Sequence, residues 1–136
     1  MKALIPGGPA EQIMKQLGVN GFAEPSEVVE LHGSELLNIA GLPIEVRHAP
    51  GHTAGSAVFI LNSEYLIAGD VLFEGSIGRT DLPTGSASEM KKTLKNQILS
   101  LDDELIVLPG HGSQTTIARE RKKNPYLTEA YLQSKD

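Results

Sequence analysis

Three polar residues, His52, Asp70 and His111, each stand beside a glycine at or just beyond the end of an apolar run. Imidazole and carboxylate together suit zinc, iron or manganese, and an adjacent glycine lets a second backbone approach closely. Any one of the three alone reads as turn chemistry, because a lone His or Gly-Asp most often satisfies a local hydrogen bond. Three in the same context point to a metal site. The chain has no cysteine, so that site would be built from nitrogen and oxygen donors, with no thiolate ligand and no thiol nucleophile.

The elements that must hold these residues follow from hydrophobic periodicity. Residues 44–48 alternate as a half-buried strand does, and Pro50-Gly51 cannot continue a ladder, so the chain turns where His52 stands. Residues 65–69 form an apolar run ending at Asp70. Residues 105–108 form a wholly apolar run closed by Pro109-Gly110, which predicts a central strand ending at His111. Residues 36–39 pair with 44–48 through a tight turn at Ala40-Gly41, and residues 56–61 pair with 65–69 across Asn62-Ser63-Glu64. The glycine-rich stretch 74–85 predicts a long loop. A helix capped near Ser86 or Ser88 then places Met90, Leu94, Ile98 and Leu101 on one face. A helix over 115–123 opens at Thr115-Thr116 and breaks at Asn124-Pro125, leaving Tyr126, Leu127, Tyr131 and Leu132 for a terminal helix. Upstream, Pro9 starts and Gly18 stops a short helix carrying Ile13, Met14 and Leu17, and residues 28–31 predict a brief strand.

Four segments carry a resemblance: His48-Ala-Pro-Gly-His52-Thr-Ala-Gly-Ser56, Ala68-Gly-Asp-Val-Leu-Phe73, Gly75-Ser-Ile-Gly-Arg-Thr-Asp-Leu-Pro83 and Pro109-Gly-His-Gly-Ser-Gln-Thr-Thr-Ile117. In order and content they resemble the metallo-β-lactamase superfamily, closest to its compact glyoxalase II (hydroxyacylglutathione hydrolase) branch, over about residues 32–127. The resemblance implies an α/β fold, the αββα sandwich, with residues 1–136 forming one partial domain: the C-terminal half plus part of the first half. Carried over, His52 is a ligand of one metal and His111 of the other, and Asp70 is the bridging, catalytic carboxylate. Arg79, Asp81 and Thr53 would support the ligands and their loops. The family's first motif, His-x-His-x-Asp-His, is missing, and residues 5–13 resemble the family's segment just downstream of that motif. Each metal would therefore keep only two protein ligands. His48 is read as structural, and His32 as solvated in a turn.

The implied cofactors are two divalent ions, zinc first, with iron or manganese as alternatives. They would lower the pKa of a shared water so that the resulting hydroxide attacks a thioester or ester carbonyl. Two alternatives stay open. One is a non-catalytic half-domain serving as a binding or assembly module. The other is an iron-dependent thiol or persulfide dioxygenase, a branch that shares Gly78-Arg79-Thr80-Asp81. The partner implied is a small-molecule thioester. A missing half also predicts an uncovered sheet face, for which Val58, Ile60, Leu66, Ala68, Ile106 and Leu108 are the candidates, and hence a homodimer or a partner supplying that half.

Composition narrows the alternatives. A chain of 136 residues suits one modest core. A net charge of -5 with 4% aromatic residues and no Trp argues against a nucleic-acid partner. The basic run Arg119, Arg121, Lys122 and Lys123 reads as a solvated helix face. No stretch reaches the roughly 18 apolar residues of a membrane span, and the N-terminus lacks a signal-peptide layout, so a cytoplasmic location is expected.

Overall fold

The computed structural model describes Gln12, residues 15–18 and residues 26–134. The chain divides into two compact units, residues 1–30 and 31–136. In the first, Gln12, Lys15 and Gln16 are helical, and Gly18 turns the chain with a φ of +78° while its N–H donates to the Lys15 carbonyl. Pro9, Ile13 and Met14 of the expected helix lie outside the described residues. The strand expected over 28–31 does not form: these residues pair with no ladder, and Val28 is 76% exposed. Apolar β-formers make a strand only where a neighbouring edge is offered to them.

The second unit is a mixed sheet with helices. Its strands are β1 (Leu36–Ile39), β2 (Leu42–His48), β3 (Ala57–Leu61), β4 (Tyr65–Gly69), β5 (Leu72–Phe73), β6 (Ser76–Ile77), β7 (Ile106–Pro109) and β8 (Thr115–Thr116). The six-stranded sheet runs β1-β2-β3-β4-β7-β8, and β5 and β6 form a separate small hairpin. Neighbours in sequence pair antiparallel because their turns permit it: Ala40 and Gly41 both have positive φ, the primed geometry that matches strand twist. The link from β4 to β7 is a parallel crossover, and it carries the main helix. Strand β7 is flanked on both sides but lies next to the edge rather than at the centre.

That helix, α1 (Ala87–Thr93), is capped by Ser86, whose hydroxyl accepts the Glu89 N–H at 3.2 Å. It continues into a π turn over Leu94–Ile98, where the Leu99 N–H reaches back to the Leu94 carbonyl. Met90, Leu94 and Ile98 stay fully buried through this widening and meet Val58, Leu66, Ala68 and Val107 from the sheet. Each large aliphatic side chain buried there is worth about 1.5–3 kcal/mol. Helix α2 (Ile117–Lys123) begins later than a start at Thr115 would give. Thr116 caps it, accepting the Arg119 N–H, while Thr115 is drawn into β8 opposite Val107. A 3-10 turn (Pro125–Leu127) and helix α3 (Glu129–Gln133) close the chain. Among the described residues no helix is long and apolar enough to cross a membrane.

The expected open sheet face is corrected in part. Val58, Ile60, Leu66 and Ala68 are the buried core, at most 7% exposed. The pairings Phe59↔Ile67, Leu61↔Tyr65, Tyr65↔Ile106 and Ile67↔Leu108 place those six residues together on the opposite face. Tyr65 and Ile67 are 38% and 39% exposed there, so of the candidates for the open face only Ile106 and Leu108 belong to it. Both faces of β3 and β4 are apolar, so a period of two reveals the alternation without showing which set lies under the helices.

Candidate metal centre

Strands β4 and β7 are parallel neighbours, so their C-terminal ends deliver Asp70 and His111 to the same sheet edge. His52 arrives from β2 on a loop pinned to α1: the Ser86 N–H donates to the Gly51 carbonyl at 2.8 Å and the Thr93 hydroxyl to the Pro50 carbonyl at 2.7 Å. The three side chains meet. His52 Nε2 lies 3.4 Å from Asp70 Oδ2, and His111 Nε2 lies 3.4 Å from Asp70 Oδ1. Each carboxylate oxygen therefore faces one imidazole.

These spacings test whether metal fits. At 3.4 Å the pairs are longer than good hydrogen bonds, which fall near 2.7–3.2 Å. Two donors each about 2.0–2.1 Å from one tetrahedral ion stand about 3.4 Å apart, which is the separation found at both pairs. The His52 tautomer gives a second test. Its Nδ1 lies 2.9 Å from the Arg79 carbonyl, which can only accept, so the proton sits on Nδ1. With Nδ1 carrying its proton, Nε2 is the nitrogen turned towards an Asp70 oxygen, and a cation between the two would satisfy both. Donor chemistry and spacing both fit a divalent ion. Ligand number does not complete it: among the described residues no group of three His, Cys, Asp or Glu side chains converges on a single ion.

The surrounding backbone is cut to this geometry. A Cβ on Gly110 would fall onto Asp70 Oδ1, and one on Gly78 would fall onto the Asp70 carbonyl oxygen and lie 3.2 Å from His52 Nδ1. The two histidines are held unequally. The His52 side chain is 18% exposed and fixed through Nδ1, whereas that of His111 is 77% exposed and meets the Phe73 ring in a T-shaped contact, ring centres 6.0 Å apart.

Arg79 and Asp81 form a two-pronged ion pair at 2.7 and 2.8 Å beside the site. The hydrogen bonds from Arg79 hold Asp81 down to about 2 and, with its charge, raise Arg79 in turn. Thr53 braces the turn after His52 through its hydroxyl contact with Ser56 at 2.9 Å. His48 stays out of the centre, with Nε2 on the Ala54 carbonyl at 2.9 Å. His32 is exposed, and its N–H donates to Glu35. The basic run is only partly a solvated face: Arg121 binds Asp103 and the carbonyls of Leu99 and Leu101, and Arg119 binds Glu74 and Glu120.

Phe73 and Gly78 lie in segments that carry the resemblance but are given no role by sequence, and Glu120 is missed altogether. Its usable signal is that Ile117, Glu120 and Asn124 recur at helical spacing on a buried face.

Known proteins share this arrangement of strands. The family model described as the metallo-beta-lactamase superfamily matches residues 4–111. The chain is 43% identical over 94 residues to hydroxyacylglutathione hydrolase GloC of Haemophilus influenzae, covering 68% of this chain and 44% of that protein. Among solved structures, the BLEG-1 B3 metallo-beta-lactamase matches at TM-score 0.73 and 39% identity over 78% of this chain and 51% of its own. TTHA1623 in a di-iron-bound form matches at TM-score 0.68 and 34% identity, over 87% and 58%. The chain spans about half the length of the curated relatives it matches.

Proposed function

The chain belongs to the metallo-beta-lactamase superfamily of metallo-hydrolases, and on that premise we propose that it serves hydrolysis of a small-molecule thioester or ester of the glyoxalase II type. His52, Asp70 and His111 are the ligands it contributes to a two-metal centre. The observation that carries this reading is Asp70, whose two oxygens each stand 3.4 Å from a different imidazole Nε2. Divalent ions held there would bring the pKa of bound water to near 7 and polarise the scissile carbonyl.

The chain's own residues have separable tasks. Asp70 would serve both ions, His52 and His111 one each, and the Arg79 carbonyl keeps the His52 proton on Nδ1, away from Asp70. Asp81 holds Arg79 and with it the loop. The name of the H. influenzae relative supports a hydroxyacylglutathione substrate. Zinc suits the N/O donor set, and the di-iron-bound relative supports iron in its place.

Among the described residues, two ligands per ion fall short of the three that a catalytic zinc usually takes from protein. That shortfall favours, as a second reading, a half-domain that binds metal weakly and does no chemistry by itself. Assembly belongs to the same proposal: the face carrying Phe59, Leu61, Tyr65, Ile67, Ile106 and Leu108 is closed by a second copy of this chain or by a polypeptide supplying the other half. The test is a competition titration of the metal-free chain with Zn2+ and Fe2+ against a chromophoric chelator, followed by turnover of a hydroxyacylglutathione thioester. Metal uptake abolished by Asp70→Ala is expected. Uptake indifferent to Asp70 would overturn the site.

A further inference from the structure

Glu120 is fully buried and ionisable, yet it lies outside the metal centre. Its carboxylate accepts from four donors: the Thr115 hydroxyl at 2.7 Å, the Gly75 N–H at 2.7 Å, the Asn124 amide at 2.9 Å and the Arg119 guanidinium at 2.6 Å. The same partners reach further. Asn124 also donates to the Ser76 carbonyl at 3.0 Å, and Arg119 binds Glu74 at 2.9 Å. Glu74 and Gly75 are the tip of the β5–β6 hairpin, and Ser76 is the first residue of β6 beyond it. Glu120 and its neighbours thus clamp that tip to α2 and to β8.

The two ends of this hairpin run directly into the metal centre. Before it comes Asp70. After it come Gly78, packed on Asp70 and His52, and Arg79, whose carbonyl sets the His52 tautomer. Within it, Phe73 meets the His111 ring. On its other side Glu120 holds Thr115, which pairs with Val107 of the strand that leads to His111. A buried charge is a weak source of net stability but a strong source of fixed geometry, because each donor must be met in place.

We propose that Glu120 is a positioning residue for the metal centre: through the β5–β6 hairpin and β8 it sets the relative placement of Asp70, His52 and His111 without touching any of them. The role rests on the metal-centre proposal above. All four groups that Glu120 receives are donors, so an amide in its place turns an NH2 towards donors, and Glu120→Gln should release the hairpin.

The test uses the full chain. Imidazole nitrogen and proton signals of His52 and His111 are recorded at about pH 8, above the usual histidine range, without metal, alongside the chelator titration with Zn2+ and a thermal melt. Wild type is expected to show His52 protonated on Nδ1. Glu120→Gln is expected to move His52 towards a mixture of tautomers and to weaken Zn2+ binding at least about 10-fold, as loss of supporting partners does elsewhere. Thr115→Val removes a single donor and should shift the same signals partway, so it decides the matter if Glu120→Gln fails to fold. Ile98→Val, a core change away from the hairpin, should lower the melt and leave both imidazoles unchanged. A folded Glu120→Gln or Thr115→Val chain with wild-type imidazole signals would overturn the role. Wild type that takes up no Zn2+ would instead overturn the metal centre, while the metal-free signals would still judge Glu120.

Discussion

Gly110→Ala separates the metal centre from the fold most cleanly. The added Cβ would land on Asp70 Oδ1, well inside contact distance, whereas its backbone neighbours at Gly69 stand at 3.2 and 3.3 Å, tight but tolerable. The group that must yield is therefore the tip of a carboxylate that is partly open to solvent. To reach ordinary contact Oδ1 has to retreat by about 1 Å, whereas metal–ligand distances hold within about 0.2 Å. The ion position proposed between Asp70 Oδ1 and His111 Nε2, which stand 3.4 Å apart, would then be lost. We expect Zn2+ affinity to fall at least about 10-fold, or about 1.4 kcal/mol, with overpacking costing the fold no more than about 1–3 kcal/mol. Gly55→Ala is the matched control, because nothing lies within 4 Å of its Cβ. It should leave affinity unchanged and stabilise by about 0.4–1 kcal/mol. Chelator competition reads the affinity and a circular-dichroism melt reads the stability. Undiminished Zn2+ affinity in Gly110→Ala would show that Asp70 Oδ1 does not hold the ion.

Further outcomes rest on the same geometry. Burial pushes Glu120 up, but its hydrogen bonds from Thr115, Gly75, Asn124 and Arg119 outweigh this and set it below its usual 4.5. Its contribution to stability is therefore complete above about pH 4.5 and is lost as pH falls through the folded value, so the acid transition of Glu120→Gln should be shallower than that of wild type. The open sheet face should drive self-association at micromolar concentration, relieved by a Tyr65→Lys, Ile67→Lys double variant, and light scattering showing a stable wild-type monomer would refute it. The purified chain alone should turn over a hydroxyacylglutathione thioester poorly. Robust metal-dependent turnover would show that two protein ligands per ion suffice.

Much of this protein is legible in its sequence because the information is local. The turn residues at Ala40-Gly41 and Asn62-Ser63, the cap at Ser86 and the strand ends at Gly69 and Gly110 act within a few residues of where they stand. His52, Asp70 and His111 can be nominated from type and context, and the four motifs reveal the family. Tertiary structure decided what depends on partners distant in sequence. Which apolar set of β3 and β4 lies under α1 was settled by packing, since both sets are equally apolar. The strand expected at 28–31 found no edge, and Thr115 chose a ladder over a helix because Val107 and Glu120 were there to meet it. That Asp70 offers one oxygen to each histidine, and that a glutamate far along the chain holds the hairpin between them, comes from strands crossing in space, which no local pattern encodes.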